Sequence, residues 1–529
     1  MEFAAARLAP LDIAVITGYA VVVIAIGLLA GRRQADAKDF FLASRAASWP
    51  VIGLALLASN ISSSTLVGLA GAAYAIGISV YNYEWMAAII LAFFCLFVLP
   101  FILRSQVYTM PEFLERRYDG RARTYFSALT LFLNIVVDTA GTLYGGSLIF
   151  KLILPQVPLW QIVLALALSA GVYTIAGGLK AVLYTETVQA VILLGGSMLI
   201  SLFAFAKAGG WEAVMAGVDP AKLSLIRPLG DPGVPWLGLV TGVPLLGFYF
   251  WCTNQFMVQR VLSAKSLDHG RWGSLFAGLL KLPVLFLMVL PGTAAILLYP
   301  TLDNPDMVYP TLIFDLLPVG VIGLVIAGFL AAIMSSIAST FNSAATLFTM
   351  DFVRRWRPDI SSHGLVRVGR LTTLSFMILA ILWAPQIERF GSLWQYLQAI
   401  LAYAVPPIVA LFLIGLFWPR ANARGAVAAL GAGFFSGFVM FIGNVVLGWY
   451  DLHFLYVASI LFVVASGALV LGSLAAPPPP AAKIQALVWS KAFFAEESAA
   501  LAGHPWYKNY RILALILTGL AAALVYAFR

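Results

Sequence analysis

A polar interruption in an apolar segment constrains the fold of this chain more than any other feature. Residues 50–79 are apolar at both ends and long enough to cross a bilayer, but seven of the eight residues 58–65 (ASNISSST) are polar or small. Because hydrocarbon offers no hydrogen-bond partner to the backbone, a broken helix is tolerated there only around a cavity or a site. The stretch predicts a discontinuous transmembrane helix whose freed carbonyls and hydroxyls can bind a small hard cation. A continuous span with a polar packing seam is the alternative.

The composition places the chain among membrane proteins. Of its 529 residues 62% are hydrophobic and 10% are charged, with a mean hydropathy of +0.94, whereas soluble globular chains carry about 25% charged residues. The net charge of +9 does not indicate nucleic-acid binding, because the basic residues lie mainly in short loops between apolar segments. Cys95 and Cys252 fall in apolar segments and predict neither a metal site nor a disulfide framework.

Fourteen hydrophobic segments can be counted, each long enough for the roughly 20 residues of a spanning helix. Their ranges are 10–31, 49–79, 81–104, 124–150, 157–177, 183–208, 234–262, 270–299, 313–350, 365–386, 393–417, 424–448, 453–475 and 509–528. The first is predicted to be a retained span rather than a signal peptide, because its apolar run is long and its positive charges follow it.

The positive charges also orient the chain. If the N-terminus lies outside, 24 of the 32 Lys and Arg residues fall in cytoplasmic loops, seven fall outside, and Lys281 remains within a span. Because Lys and Arg accumulate in the cytoplasmic loops of membrane proteins, we expect both termini to be extracytoplasmic. The short loops favour a multi-pass protein of the cell inner (plasma) membrane.

Only two connections are long, residues 207–235 outside and 476–508 inside, and neither has the size of a soluble domain. This argues against a receptor, a sensor kinase or a membrane enzyme with a cytosolic catalytic module. Residues 483–502 are compatible with either an interfacial helix or a plain linker. None of the four histidines falls near the central acids or lysine, so we expect no enzymatic activity.

Three ionisable residues lie in apolar segments, where a charge is costly and is a functional candidate by default. Lys281 is about eleven residues inside its segment, too deep to reach the membrane surface. It should therefore face a water-filled cavity or a carboxylate such as Glu84. Glu84 and its aromatic neighbours could equally belong to the outer interface. Glu186, near the inner end of its span, is unremarkable by itself.

A stripe of small and hydroxyl-bearing residues marks the ninth segment. Offsets of three, four, seven and eleven put its members on one helix face. They are Ala332, Ser335, Ser336, Ser339 and Ser343. Such hydroxyls can coordinate a cation or bond back to their own helix. Paired with the interrupted segment, the stripe can supply the remaining ligands of one Na⁺ site.

Polar and aromatic residues also meet in two later segments. Residues 247–255 (GFYFWCTNQ) change from aromatic to polar five spans after the first interruption, which is the spacing of an inverted five-helix repeat. Residues 394–398 (WQYLQ) bring two amides and two aromatic rings together.

These residues resemble the solute:sodium symporter family and, within it, the sodium/glucose cotransporter branch. The resemblance extends from about residue 10 to residue 475. The blocks that carry it are ASNISSSTLVGLAG (58–71), YEWMA (83–87), YTMPEFLERRY (108–118), YTIAGGLKAVLYTETVQ (173–189), FWCTNQFMVQR (250–260), LLKLPVLFLMVLPG (279–292), AAIMSSIASTFNSAATLFTMD (331–351) and YLQAILAYAVPPI (396–408).

The resemblance implies an all-α polytopic protein of about 14 transmembrane helices, with a LeuT-like core of two inverted five-helix repeats and broken helices. It divides the chain into a symporter domain with an extra N-terminal span (1–475), a cytoplasmic linker (476–508) and a C-terminal span (509–529). It further implies a Na⁺ site of three carbonyls and two hydroxyls. These are the carbonyls of Ala58, Ile61 and Ala332 and the hydroxyls of Ser335 and Ser336.

The same resemblance implies a solute site of polar residues covered by aromatic rings. Its members are Asn60, Thr65, Tyr83, Glu84, Phe250, Trp251, Lys281 and Gln398. Phe250 stands where sugar-transporting members have a tyrosine, Gly247 where they have a polar contact, and Thr65 where Gln or His is frequent. These departures leave the identity of the solute open.

A second Na⁺ site, present in some members of the family, uses an aspartate and neighbouring hydroxyls. Here the acid is Glu186 and one hydroxyl position is Ala338, although Ser339 remains. We therefore expect one Na⁺ for each solute.

The sequence thus predicts a Na⁺-coupled secondary active symporter that imports a monosaccharide or related polyol by alternating access. The alternatives are a symporter of an acidic sugar or other organic anion, and a solute-gated channel or sensor on the same fold. Na⁺ is favoured over H⁺ because the implied ligands are neutral oxygens. The expected partners are the solute, Na⁺ and the lipid bilayer, without nucleic acid, and the protein is expected to be a monomer or a loose homodimer.

Overall fold

The computed structural model describes residues 8–31, 43–390 and 393–529, and the regular secondary structure of these residues is helical apart from two isolated β-bridges. In it, nine helices are long and apolar enough to cross a membrane, and three bent helix pairs bring the number of such spans to as many as twelve. Pro10–Val23 and Leu159–Gly171 are shorter apolar stretches. The expected all-α, polytopic architecture is confirmed.

The helices of the membrane-embedded body are numbered in chain order, with a and b for the halves of a bent pair. They are α1 (Pro10–Gly31), α2a (Trp49–Asn60), α2b (Ser63–Ile76), α3 (Ile78–Ser105), α4 (Gly120–Ile153), α5 (Leu159–Lys207), α6 (Trp236–Thr253), α7a (Leu267–Lys281), α7b (Leu285–Leu298), α8 (Val321–Trp356), α9 (Ser362–Glu388), α10a (Leu393–Ala404), α10b (Pro406–Phe417), α11 (Ala423–Val446), α12 (Phe454–Leu474) and α13 (Tyr510–Ala527). The connections contain the shorter helices Met110–Arg117, Trp211–Gly217, Gln255–Leu262, Val308–Leu316, Ala481–Ile484 and Lys491–Leu501.

The break predicted in the second segment is present. α2a ends at Asn60, α2b begins at Ser63, and the two halves are bent by 61°. Ser62 starts α2b with a capping box, in which its Oγ accepts a hydrogen bond from Thr65 N at 3.2 Å and Thr65 Oγ1 accepts one from Ser62 N at 3.4 Å. The hydroxyls of this stretch bond to backbone groups, as Thr65 Oγ1 does to the Asn60 carbonyl at 3.0 Å, so one helix ends and another begins.

A second interruption follows the aromatic-to-polar sequence of the seventh segment. α6 ends in a π-helical turn, Tyr249–Thr253, and Asn254 then adopts an extended backbone. The Asn254 side chain accepts a hydrogen bond from Phe256 N at 3.2 Å and so caps the helix Gln255–Leu262. Single π-helical turns inside helices occur frequently at functional sites.

No helix terminus separates the segments 157–177 and 183–208, because helical backbone continues from Leu159 to Lys207. A straight helix of 49 residues would be about 74 Å long, more than twice the roughly 30 Å of a bilayer core. The range is therefore too long for a single span, and Val182–Lys207 is by itself long and apolar enough to cross a membrane. The prediction of two apolar segments agrees with this length.

The central helices are more deeply buried than the peripheral ones. Within the most apolar window of each span, 83% of residues are buried in α8 and 78% in α3, compared with 33% in α11 and α12 and 22% in α13. α8 packs against α5, α1 and α9, and α2a packs against α7a and α5. The polar break of α2 and the serine stripe of α8 therefore lie at the centre of the protein, away from lipid.

The stretch 476–508 is attached to the helical body. It contains the helix Lys491–Leu501, shorter than the range 483–502 considered from the sequence. Glu497 in this helix pairs with Arg271 of α7a and accepts a hydrogen bond from the Tyr510 hydroxyl at 2.8 Å. The Arg271 guanidinium also lies over the Tyr510 ring, 3.8 Å from its centre.

A buried carboxylate, Asp306, ties the connection after α7b to the start of α10a. It accepts a hydrogen bond from Leu393 N at 3.2 Å. Burial raises its pKa to about 6, and the hydrogen bond opposes part of that increase. Because the pKa is higher in the folded than in the unfolded protein, the contribution of this group to stability is greatest below pH 4 and is lost as the pH rises through 6.

Replacing Asp306 with asparagine is therefore expected to stabilise the protein at pH 7.5 much more than at pH 4. Asparagine keeps an acceptor for Leu393 N and carries no charge, and a rise of about two pKa units corresponds to about 3 kcal/mol. Thermal unfolding in detergent at both pH values measures the effect, with exposed Asp315→Asn as the control. Equal shifts in melting temperature at the two pH values would contradict the expectation.

Candidate functional site

The break between α2a and α2b lies against the serine stripe of α8. Ser335 Oγ is 2.9 Å from the carbonyl oxygen of Ala58 and 3.1 Å from that of Ala332. The next hydroxyl, on Ser336, donates a hydrogen bond to the Ser59 carbonyl at 3.3 Å. Three of the five predicted Na⁺ ligands, on Ala58, Ala332 and Ser335, are therefore in direct contact.

The two remaining predicted ligands border this cluster. Ile61 lies in the break itself, fully buried, and its N–H donates to the Leu57 carbonyl at 2.9 Å. Ser336 follows Ser335 on α8 and is turned towards the neighbouring carbonyl of α2a. The cluster consists of buried carbonyl and hydroxyl oxygens, which are the ligands that hard cations prefer, so its chemistry fits Na⁺.

A cavity of about 120 Å³ adjoins the oxygen cluster. Both halves of α2 contribute to its wall, together with α3, α4, α6, α8 and α10a. Seven of the eight predicted solute contacts line it, namely Asn60, Thr65, Tyr83, Glu84, Phe250, Trp251 and Gln398.

Lys281, the eighth predicted contact, lies behind the cavity wall. Its ammonium group is fully buried and forms an ion pair with the Glu84 carboxylate. It also lies 5.8 Å from the centre of the Trp251 ring, within cation–π range. Of the two environments expected for Lys281, a water-filled cavity or a carboxylate, the structure shows the carboxylate. The ion pair holds Glu84 in place at the edge of the cavity.

Two side chains of the wall carry buried polar atoms that accept or donate no hydrogen bond in the described part of the chain. Asn60 Oδ1 and Tyr83 Oη are buried and have no hydrogen-bond partner among the described residues. A buried polar atom without a partner costs about 1–3 kcal/mol. These two atoms are therefore available to a polar solute, which would recover that free energy.

Aromatic rings form two sides of the cavity. Tyr83 packs edge-on against Trp394, with 5.5 Å between ring centres, and Phe250 packs in the same way against Trp251, at 5.3 Å. These contacts fix the orientation of the rings and leave apolar faces beside the polar atoms. A wall of this mixed character suits a compact molecule with both hydroxyl and C–H surfaces.

The cavity also contains a carboxylate that was not predicted. Asp138 lies on the wall, in the π-helical turn Asn134–Thr139 of α4. Its position inside an apolar segment is the signal that could have identified it, since ionisable residues within spans are functional candidates.

The surroundings of Glu186 differ from the prediction, which treated it as an ordinary acid near a helix end. It is fully buried and forms an ion pair with Arg260 at 2.7 Å. The hydroxyls of Ser59 and Ser339 donate to its Oε1 at 2.7 and 2.5 Å, and Arg260 also donates to Ser339. Arg260 was counted among the cytoplasmic loop charges, and this assignment is wrong. Its guanidinium is buried because Glu186 compensates the charge.

Comparisons with known proteins identify relatives of this chain. The model of the sodium:solute symporter family matches residues 40–433. The chain is 36% identical to sodium/glucose cotransporter 4 of Danio rerio, over 94% of this chain and 83% of that protein. It is 35% identical to sodium/myo-inositol cotransporter 2 of Oryctolagus cuniculus, over 91% of this chain and 79% of the relative.

A solved structure shares the fold. It is the substrate-bound outward-open state of a Na⁺-coupled sialic acid symporter, with a TM-score of 0.80 and 23% identity over 89% of this chain and 100% of the other. This likeness confirms the LeuT-like architecture that the sequence resemblance implied.

The family model covers most of the chain, and the relatives match it almost from end to end at more than a third identity. These relatives are transporters rather than enzymes, and the chain is accordingly a multi-pass membrane transporter with Na⁺ as its coupling ion. The chain belongs to the sodium:solute symporter family.

Proposed function

We propose that the protein imports a neutral monosaccharide or a related polyol together with one Na⁺, by alternating access. The proposal rests on one observation, the contact between the predicted Na⁺ site and the predicted solute site. Ser336 lines the cavity, and its hydroxyl donates to the carbonyl of Ser59, the residue before Asn60. A cation that orders the break of α2 would therefore also fix Asn60 for the solute.

The chemistry of the cavity wall supports a polyhydroxylated solute. The wall offers carboxylate, amide and hydroxyl groups beside aromatic faces, which suits the alternating O–H and C–H groups of a sugar. The relatives named for glucose and for myo-inositol support the same class. Lys281, Glu84 and Gln398 are proposed to bind and orient the solute hydroxyls, directly or, for Lys281, through Glu84.

A stoichiometry of one Na⁺ is supported by the ion pair at Glu186. A second cation near this acid would have to share it with Arg260, whose guanidinium already neutralises the charge and contacts Ser339. One Na⁺ moving down about 100 mV supplies about 2.3 kcal/mol, and a tenfold Na⁺ gradient adds about 1.4 kcal/mol. Together these allow roughly 500-fold accumulation of a neutral solute.

The test is uptake into proteoliposomes of labelled glucose, galactose, myo-inositol, sialic acid and an amino acid, with and without an inward Na⁺ gradient. Concentrative uptake of a neutral sugar or polyol, with a plateau near that given by one Na⁺, is the expected result. Preference for sialic acid would mean that the substrate is an acidic sugar rather than a neutral one. Uptake that only equilibrates would favour a channel or sensor, since a channel cannot concentrate its solute.

Replacing Ser336 with alanine is expected to raise the Na⁺ concentration needed for half-maximal uptake by about tenfold, the effect of losing about 1.4 kcal/mol of cation binding. The measurement is the Na⁺ dependence of initial uptake rates in proteoliposomes. Ser343→Ala is a matched control, because Ser343 lies on the same stripe two helical turns away and contacts Asn134 at 3.2 Å. An unchanged Na⁺ affinity in Ser336→Ala would mean that the cation site lies elsewhere.

A further inference from the structure

A groove opens between the end of α8 and the first half of α9. It has a volume of about 510 Å³, and both helices and their connection form its walls. Val353 lies on one side, and Val368 and Leu371 lie on the other. Thr372 and Ser375, also in the wall, donate their hydroxyl hydrogens to α9 carbonyls at 2.9 and 3.1 Å. The walls of this α8–α9 groove are therefore largely apolar.

The groove faces lipid rather than the interior of the protein. Only 33% of the most apolar window of α9 is buried, and Leu371 in the wall and Ile378 further along α9 are both exposed. Two lining residues of α8, Phe348 and Trp356, are just over two helical turns apart, which corresponds to about 12 Å. The groove therefore spans most of the roughly 15 Å of one leaflet of the bilayer core.

A tryptophan marks the mouth of the groove. Trp356 lines the groove, is 69% exposed, and packs against the Phe352 ring with 5.8 Å between ring centres. Tryptophan is enriched at membrane–water interfaces, where its ring sits at the level of the lipid headgroups. We therefore expect the end of the groove near Trp356 at headgroup level and the end near Phe348 at the level of the acyl chains.

Positive charge is concentrated at the headgroup end of the groove. Residues 354–370 contain five arginines and one acid, Asp359. Arg355 is 3.5 Å from Glu115. The other four arginines are exposed and form no ion pair with any residue that the structure describes. These are Arg354, Arg357, Arg367 and Arg370. A ligand at this end of the groove therefore meets uncompensated positive charge.

Two of these arginines are placed to hold one headgroup. Arg357 lines the groove itself. Arg367 lies one helical turn before the lining residue Leu371, and residues four positions apart share a helix face. Guanidinium groups bind phosphate oxygens through two parallel hydrogen bonds. A phosphate at the mouth of the groove therefore has a guanidinium group on each side.

We propose that the α8–α9 groove binds one anionic phospholipid, whose phosphate pairs with Arg357 and Arg367 and whose acyl chain lies along the apolar walls. Basic pockets between transmembrane helices suit anionic lipid headgroups. An apolar protein helix would fill the groove but leave the arginines uncompensated. A soluble anion would compensate the arginines but leave the walls uncovered. An anionic phospholipid meets both requirements, and its binding does not depend on which solute the protein transports.

The arginines set the expected preference between lipids. Each basic residue near an anionic headgroup contributes about fivefold in affinity, so two contribute about 25-fold. Phosphatidylcholine carries the same phosphate, but its choline group cancels the charge. The acyl chain adds little to the preference, because the surrounding lipid is as apolar as the groove. The site is therefore expected to select lipids by the net charge of the headgroup.

The experiment titrates the purified full-length protein in detergent with phosphatidylglycerol or with phosphatidylcholine of the same acyl chains, and native mass spectrometry counts the bound lipids. We expect one tightly bound phosphatidylglycerol, with a dissociation constant about 25-fold lower than that of phosphatidylcholine. Arg357→Gln/Arg367→Gln should remove this preference. Arg420→Gln/Arg424→Gln is the matched control, because it removes two exposed arginines between α10b and the first turn of α11 and should keep the preference.

Two further measurements separate a lipid from other occupants. Ser375→Phe fills the groove and leaves every arginine in place. It should weaken phosphatidylglycerol binding by about fivefold or more, the effect of overpacking an occupied site. Glycerol 3-phosphate, which has the phosphate without the acyl chains, should not displace the lipid at a large molar excess.

Four results would overturn the proposal. Equal affinity of the wild type for the two lipids would remove the headgroup site, and equal losses in both double variants would mean that only the net charge of the protein matters. Displacement by glycerol 3-phosphate would assign the arginines to a soluble anion. A dimer that Ser375→Phe dissociates would assign the groove to a second copy of the chain. The substituted side chains are all exposed, and if a variant nevertheless fails to fold, the ratio of the two wild-type dissociation constants decides.

Discussion

Replacing Lys281 with alanine is expected to abolish Na⁺-driven solute uptake and to destabilise the protein by about 3–5 kcal/mol, the usual cost of removing one partner from a buried ion pair. Lys281 is fully buried, and it holds the Glu84 carboxylate at the wall of the cavity. Without the lysine, Glu84 must take up a proton or change its position. Either change removes the charged acceptor proposed to bind the solute.

Two companion variants separate the loss of binding from the loss of stability. The double variant Lys281→Met/Glu84→Gln removes the whole ion pair and should recover most of the thermal stability but no uptake, because uncharged replacements of a buried pair are often tolerated. Gln398→Ala, on the opposite helix α10a, should weaken solute binding with little effect on stability. Wild-type solute affinity in Lys281→Ala would remove this lysine from the proposed site.

The central break could be predicted because its cause is local. Ser62 accepts a hydrogen bond from Thr65 N and so starts a new helix within the apolar segment, a contact between residues three positions apart. The same holds for Asn254, which follows a run of aromatic residues and caps the next helix. The contact between Ser335 and the Ala58 carbonyl joins residues 277 positions apart. Pairing the break with the serine stripe predicted that the two segments meet, and the family resemblance then implied the individual ligands.

The network at Glu186 could not be predicted from local sequence, for a physical reason. Glu186 and Arg260 are separated by 74 positions, and each lies near the end of an apolar segment, where a charge normally reaches water. The count of basic residues on each side of the membrane therefore assigned Arg260 to a loop. Asp138 is a different case, because an isolated acid inside an apolar segment is visible in the sequence and was overlooked.

Arg260→Met is expected to give the largest change in Na⁺ dependence. The variant leaves Glu186 buried without its partner, so in Na⁺-free buffer it should lose about 3–5 kcal/mol of stability. Ser59, Ser339 and Glu186 would then form a cluster of oxygens around an uncompensated charge. Na⁺ should bind this cluster, because a hard cation restores the missing charge and accepts oxygen ligands.

The expected consequence is that Na⁺ stabilises Arg260→Met more than it stabilises the wild type, and that the Na⁺ dependence of uptake becomes steeper. Thermal unfolding across a Na⁺ titration, with K⁺ as the reference ion, measures the first effect, since a ligand that binds only the folded state raises stability with its concentration. Arg121→Gln is the control, because Arg121 forms an exposed ion pair with Asp119, and such pairs contribute about 0–1 kcal/mol.

The double variant Arg260→Met/Glu186→Gln tests whether the extra response to Na⁺ depends on the charge of Glu186. It lacks both charges, so it should regain stability in Na⁺-free buffer and lose the extra response to Na⁺. This result would mean that the guanidinium of Arg260 occupies, as a tethered cation, the position that a second Na⁺ would otherwise take. If Arg260→Met and the wild type respond equally to Na⁺, the ion pair has a structural role only, and the proposed stoichiometry of one Na⁺ loses the support of this ion pair.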